Sequence, residues 1–368
     1  MPDVLIIGGG LVGLAAAFHL AQAGASVTLV ERDICGRHAS GLNAGGLRRV
    51  NRHPAEQPLA GLAQILWTSL SEQLGRDVGY RAVGHLLLAE DEEEMARLSA
   101  MPRADFETLV DSATVRALCP GIAAHVRGAL YAAQDGYAHP GLTVSAFRDA
   151  AEAAGVRILE TRAVTGLDRQ GAAWSVATSA GRIAAGTVVN AAGAAAAEMA
   201  ALAGEVLPVL PQAPIAAITA PLPRFLMPVV QTLTRRLTLK QMPDGRCWIG
   251  GGQRAEILPS GLSVEAAEVA ENLATAASLF HVLDGVTPAR SWAATDGYTP
   301  DRVGILGQIT PQGLMHACGF SGHGFQTAPA AGRVVSDLIL GKEPAAAIAG
   351  LPPAGSSVHR QLEQRGEI

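Results

Sequence analysis

Residues 4–7 (VLII) form an uninterrupted apolar run that stops at three consecutive glycines, Gly8, Gly9 and Gly10. A short run of this kind bounded by glycine predicts a parallel strand buried on both faces. The alanine-rich stretch that follows is predicted to be a helix ending at Gly24, with residues 26–30 (SVTLV) as a second strand closed by Glu31. The texture returns at 187–193 (TVVNAAG), where an apolar strand again runs into small residues. Between these points the pattern predicts a helix over 142–154, strands at 156–159 and 163–167, and a hairpin from 174–178 and 182–184. The acidic run within 86–109 (AEDEEEMARL) predicts a helix with a solvated face. Six prolines between Pro208 and Pro228 mark a crossing into strands such as 236–240 and 247–250, followed by an acidic helix from Ser263 to about Ala277. A last helix, with Pro329 in its first turn, is predicted to run to about Leu340.

This order predicts an α/β chain in which a Rossmann-like dinucleotide-binding domain (1–85, 141–205 and 295–368) is interleaved with a mixed-sheet α+β substrate domain (86–140 and 206–294). A length of 368 residues suits two domains. Four scattered cysteines without a CxxC pair suggest neither disulfides nor a zinc site, and no other metal is expected; a reducing, cytoplasmic setting fits. A net charge of −5 and 4% aromatic residues argue against nucleic-acid binding. No uninterrupted apolar segment is long enough to predict a membrane span.

The candidate chemistry begins at Gly8, Gly10 and Gly13, which satisfy GxGxxG. The first glycine allows the tight turn, the second lets backbone approach a diphosphate, and the third lets helix pack on strand. Glu31, about 20 residues on, stands where a carboxylate accepts a hydrogen bond from a ribose hydroxyl. A glycine-rich turn that binds nothing is the alternative, and Ala17, Gly24, Val27 and Glu31 falling in phase weigh against it. The ligand is then NAD or FAD, and the turn does not choose between them. The segment 317–326 (ACGFSGHGFQ) packs three glycines just before a helix, a loop able to present N–H groups to an anion such as the N1/C2=O edge of a reduced flavin.

Three blocks together carry a resemblance: the first fingerprint through ASGLNAGGLRR, the central VVNAAG, and YTPDRVGILG followed by ACGFSGHGFQTAPAAGRVVSDLI. In these the chain resembles the FAD-dependent D-amino acid oxidase superfamily, in its sarcosine oxidase and glycine oxidase branch, which includes β subunits of heteromeric amino acid and opine dehydrogenases. The resemblance implies FAD in an extended form. It places adenosine and diphosphate at Gly8, Gly10, Gly13 and Glu31, and Ser40, Asn43, Ala44, Gly45 and Gly46 along the flavin. It turns the backbone of Val164 to the adenine and Gly193 to the dinucleotide, and lines the pyrimidine edge with Gly319, Phe320, Ser321, Gly322, His323, Gly324, Phe325 and Gln326. The implied reaction is hydride transfer from the α-carbon of an amino acid or secondary amine to flavin N5, giving an imine that hydrolyses. Arg49 and Arg52 match basic positions flanking the substrate pocket, Tyr298 and His323 are expected on the substrate side, and Tyr137 and His139 are further candidates.

The chain also departs from the family. Trp248 aligns with a lysine that assists reaction with oxygen in sarcosine oxidases, which favours a dehydrogenase with a non-oxygen acceptor over a peroxide-producing oxidase. Ala294 replaces a flavin-tethering cysteine, implying noncovalent FAD, and Gln326 replaces a basic residue. A flavoprotein subunit active only in a multisubunit complex, with partner subunits or an electron-acceptor protein, stays open.

Overall fold

The computed structural model describes residues 1–308 and 313–347; the rest of the expected 295–368 segment lies outside the described residues. A six-stranded sheet runs in the order Ile305–Gln308, Met315–Cys318, Thr187–Asn190, Val4–Ile7, Val27–Val30, Arg157–Leu159, parallel except for its first pair. The opening apolar run is therefore a central strand, with Ile6 in register with Val189 on one side and Leu29 on the other. Its four residues are all buried, as a strand covered on both faces requires.

One cover is the helix Leu11–Gln22, whose Ala15, Ala16 and Ala17 are fully buried. The C-terminal helix Gly324–Ile339 lies against it so closely that a Cβ at Gly332 would stand 2.5 Å from Ala15 backbone. Opposite, the antiparallel strands Val164–Gln170, Ala173–Thr178 and Gly181–Ala185 contribute Trp174 and Val176 to a cluster with Leu5, Ile7 and Val188.

The second sheet has eight strands in the order Pro288–Ala293, Ile215–Thr219, Cys247–Gly250, Thr238–Gln241, Val229–Thr232, His85–Ala89, Gly128–Ala132, Glu107–Asp111. All its pairs are antiparallel except Val229–Thr232 with His85–Ala89. Leu86, Leu88, Val230, Leu239 and Ile249 pack with Leu279 of the helix Ala266–Leu279 and with Phe280 just beyond it. Strand and helix segments that lie far apart in sequence thus build each sheet.

Several local expectations shift. The last helix begins at Gly324, so Pro329 sits in its interior rather than in its first turn. The ladder starts late enough, with Thr327 N–H on His323 O at 3.3 Å, that the proline removes only the bond to Phe325. The strand expected at 236–240 is Thr238–Gln241, because Thr232 Oγ1 donates to Arg235 O and commits 233–237 to a reversal. The acidic helix starts at Ala266 because Gly261–Ser263 pairs with Glu256–Leu258. The 86–109 segment resolves into a strand, the helix Glu92–Ala100 capped by Asp91, and the start of a second strand. Cys35, Cys119, Cys247 and Cys318 are free and buried. Among the described residues no helix is long and apolar enough to cross a membrane.

Candidate active site

A cavity of about 560 Å³ runs past the C-terminal ends of Val4–Ile7 and Val27–Val30 to the glycine turn before the last helix, a size ordinary for ligand sites. At its first end the backbone does most of the shaping. Gly8 has φ +110°, and a Cβ there would meet Ala191 O at 2.4 Å. Gly13 lies outside the lining but holds the helix down, since its Cβ would stand 2.1 Å from Gly8 O. Gly10 is the N-cap of Leu11–Gln22 without a side-chain cap, and Ser40 Oγ accepts from Leu11 N–H at 2.8 Å. Glu31 accepts from Gly9 N–H at 2.7 Å and Asp33 N–H at 2.8 Å, leaving lone pairs for a ligand hydroxyl. A Cβ at Gly46 or Gly193 would meet nothing within 4 Å, so both flank open space. Ser40, Asn43, Ala44, Gly45 and Val164 complete this stretch of wall. A helix N-terminus, a carboxylate and glycine-walled space suit an extended dinucleotide.

The far end is the turn from Gly319 to Gly322, where Gly319, Ser321 and Gly322 all take positive φ. Thr299 N–H donates to Ser321 Oγ at 3.0 Å, Ser321 N–H to Gly297 O at 3.0 Å, and Gly322 N–H to Asp296 Oδ2 at 2.9 Å. The strand Asp296–Tyr298 therefore fixes the turn, and Phe320, His323, Gly324, Phe325, Gln326 and Tyr298 all line the cavity with it.

Beside this turn lies a buried charged network. Arg52 donates through Nη2 to Arg48 O and to Gln326 Oε1 at 3.2 Å, and its Nη1 is 3.7 Å from Glu56 Oε2. Glu56 Oε2 is 2.8 Å from His323 Nδ1, and His323 Nε2 is 3.2 Å from Arg48 Nη2. A guanidinium only donates, so Nε2 accepts and Nδ1 carries the proton given to Glu56. Burial, and then the Arg52 charge, push the His323 imidazole down to about 3, consistent with that neutral tautomer. Burial also lowers Arg52, to about 9. Burial opposes ionisation of Glu56, yet the His323 hydrogen bond and the Arg52 charge outweigh it and keep its carboxyl below the usual range. Gln326 Nε2 donates to Ala60 O at 3.0 Å, and Trp67 Nε1 donates to Gln326 O at 2.8 Å. His85 also lines the cavity, and burial with the Arg48 charge keeps it neutral, at about 3.

Arg52 stands in the wall, but Arg49 does not: its guanidinium lies 3.7 Å over the Phe106 ring, and Arg48 takes the place at the cavity. The reason is Asp135, which is fully buried and accepts from Arg49 N–H and Val50 N–H, turning the chain so that alternate side chains face apart. Tyr137 and His139 also lie outside the lining; His139 instead caps the helix Pro140–Ala153. Sequence reading passed over Arg48 as part of the wall, as well as Glu56, Asp296 and Lys240. Lys240 carried a visible signal, being one of only two lysines in the chain. It is buried between the Tyr137 and Trp248 rings, 4.8 and 5.3 Å away, and donates to Ala44 O. Burial pushes its ammonium down to about 7. Trp248 pairs with Lys240 across the sheet, so an indole and a cation stand side by side on one face.

Comparison with known proteins identifies a family. A family model described as FAD dependent oxidoreductase (DAO) matches residues 3–338. Glycine oxidase of Pseudomonas aeruginosa is 30% identical over 370 residues, covering 96% of this chain and 98% of its own. Sarcosine oxidase subunit beta of Rhodobacter capsulatus is 26% identical across 95% of this chain and 87% of its own. The structure of L-proline dehydrogenase from P. horikoshii matches with a TM-score of 0.87 and 28% identity, over 99% of this chain and 98% of that one.

Proposed function

Since the chain belongs to the DAO family of FAD-dependent oxidoreductases, we propose that it oxidises the C–N bond of an amino acid or secondary amino acid and passes the electrons to an acceptor other than oxygen. Bound FAD supplies the hydride acceptor. The remaining work falls to this chain's own residues. The observation that carries the reading is Arg52: it lines the cavity, is buried, and keeps Nε–H and Nη1–H bonds without a hydrogen-bond partner among the described residues. A buried guanidinium with free donors suits a carboxylate.

Arg52 and Arg48 receive the substrate carboxylate, with Glu56 and neutral His323 holding the two guanidiniums in place. The same two charges lower the proton affinity of the adjacent amine, so the nitrogen keeps the lone pair that must form the C=N bond. Tyr298 borders the pocket beside the turn. The imine is hydrolysed by water after oxidation. Neither Trp248 nor Lys240 is part of the lining, and the lack of a lysine in the wall among the described residues supports the non-oxygen acceptor. Ala294 in the wall offers no nucleophile, which supports noncovalent FAD. We assign the FAD domain to 1–85, 141–205 and 295–368 and the substrate domain to the remainder. The two large sheets support this division in part: the strand beginning at His85 belongs to the second sheet, Gly136–Tyr137 pairs with Gly46–Leu47 and Arg81–Ala82, and Leu210–Gln212 pairs with Asp296–Tyr298.

The test is anaerobic addition of free and N-substituted amino acids to the yellow protein. Bleaching near about 450 nm by one class, with slow recovery in air and fast recovery with a dye acceptor, is the expected result. Failure of every compound would remove the reading. The likeness to a sarcosine oxidase subunit beta supports a second reading, that a partner subunit is needed; bleaching without turnover to the dye would favour it.

A further inference from the structure

The proposed amine oxidation accounts for the Arg48 and Arg52 side of the cavity and gives no task to the lining carboxylate Asp296. Asp296 stands in the same wall as Tyr298 and Gly322. Its Oδ1 accepts from its own neighbour Gly297 N–H at 2.8 Å, and its Oδ2 from Gly322 N–H at 2.9 Å. Two fixed amides hold the carboxylate in one orientation and favour its ionised form, while each oxygen retains acceptor capacity. Burial raises its proton affinity, to about 6, and no cation contributes to that affinity among the described residues. Asp296 is half-buried in the wall, and a partly desolvated anion without a cationic partner gains from a ligand that supplies one.

The position narrows which ligand cation that is. Gly322, whose N–H meets Asp296, is followed directly by His323, whose ring meets Arg48 and Glu56. One turn therefore ties an anionic group and a cationic group to consecutive residues. The reacting amine has to be unprotonated to release hydride, and an anion touching it would hold its proton in place. Asp296 is thus unsuited to the reacting nitrogen and suits a second group that keeps its charge throughout the reaction.

We propose that Asp296 is a specificity-determining residue that binds a cationic group, a guanidinium or ammonium, on the side chain or N-substituent of the substrate. The inference rests on the amino acid reading and gives it a substrate class: amino acids that carry a second, permanently positive group. Asp296 makes and breaks no bond in the reaction.

The experiment uses the FAD-loaded protein at pH 8 and reads the flavin difference spectrum on titration with methylguanidinium and with methylurea, a neutral probe of the same shape. Wild type is expected to bind methylguanidinium at least about tenfold more tightly, Asp296→Asn to bind the two alike, and Asp296→Glu to restore part of the preference. Acetate, which probes the Arg48 and Arg52 side, is expected to bind wild type and Asp296→Asn equally. Equal binding of both probes by wild type, an unchanged preference in Asp296→Asn, or no saturable response to methylguanidinium would each overturn the proposal. So would a parallel loss of acetate binding, which marks a clamp on the turn and nothing more. The same proteins are then mixed anaerobically with arginine and with citrulline of either hand, and wild type is expected to bleach at least about tenfold faster with arginine. If no amino acid bleaches the flavin while the probe preference stands, the amino acid reading has failed and the cation site has not.

Discussion

The two ends of the cavity are built from different materials. Around Gly8–Gly13 the wall is mostly backbone and small side chains, with Glu31, Arg32 and Arg162 also in the lining, and its shape depends on contacts as close as the space between Gly13 and Gly8 O. Around Arg48–His323 it meets side chains whose charges are buried and joined through Arg52, Glu56 and His323. The first end tolerates almost no added volume at Gly8 and Gly13. The second has room for side-chain exchange, yet each substitution strands a charged neighbour.

Gly13→Val should have the largest effect. Its side chain would enter the Gly8 carbonyl, and the expected product is a protein without bound flavin, read as loss of visible absorbance on purification. Arg52→Met, at the opposite end, leaves Glu56 buried without its cation and should lower stability by about 3–5 kcal/mol. Where folded, it should stay yellow and fail to be bleached, as denaturant titration and anaerobic spectra would show. If Arg52→Met instead loses FAD like Gly13→Val, the two ends are not separable.

Lys240 gives a pH test of the boundary between them. Its ammonium has a folded-state affinity near 7 against an ordinary value of 10.5, so between those values the unfolded chain holds more protons than the folded one. Stability must therefore rise with pH across that window. Lys240→Met should remove this rise, so that wild type gains on the variant between pH 7 and 10 in parallel denaturant melts. Smaller again is Trp67→Phe, which deletes the bond to Gln326 O and should cost about 1 kcal/mol. Arg49→Met should have the smallest effect of all: it removes a half-buried cation–π contact outside the cavity lining, worth about 0.5–1 kcal/mol, and should leave the bleaching rate unchanged.

The same contrast explains what could be read from the sequence. The glycines, Glu31 and the strand at TVVNAAG announce themselves because backbone constraints are local: a positive φ or a close approach demands glycine wherever it falls. Strands of the first sheet were legible for the same reason, since short apolar runs and turn residues mark them, whereas several strands of the second, such as His85–Ala89 and Glu107–Asp111, were hidden in a segment read as a helix. The charged end was not, because Arg48 and Arg49 are neighbours of the same type and only Asp135, 86 positions away, decides which one faces the cavity. Glu56 and Asp296 gave no local signal, for their partners His323 and Gly322 lie 267 and 26 residues off. Trp248 stands beside a cation that the alignment gave no reason to expect, Lys240 on the adjoining strand.

The packing of Gly332 onto Ala15 also bears on how the protein is made. Helix Leu11–Gln22 leaves the ribosome early, but its alanine face finds its cover only when Gly324–Ile339 has been synthesised, and Met315–Cys318 completes the sheet beside Thr187–Asn190 equally late. Contacts of such long sequence separation form slowly, and the nascent N-terminal unit must wait, apolar side uncovered, through most of translation. Production of this chain should accordingly depend on chaperones far more than its size alone suggests, and a C-terminal truncation that removes the last helix should yield aggregate rather than a smaller folded domain.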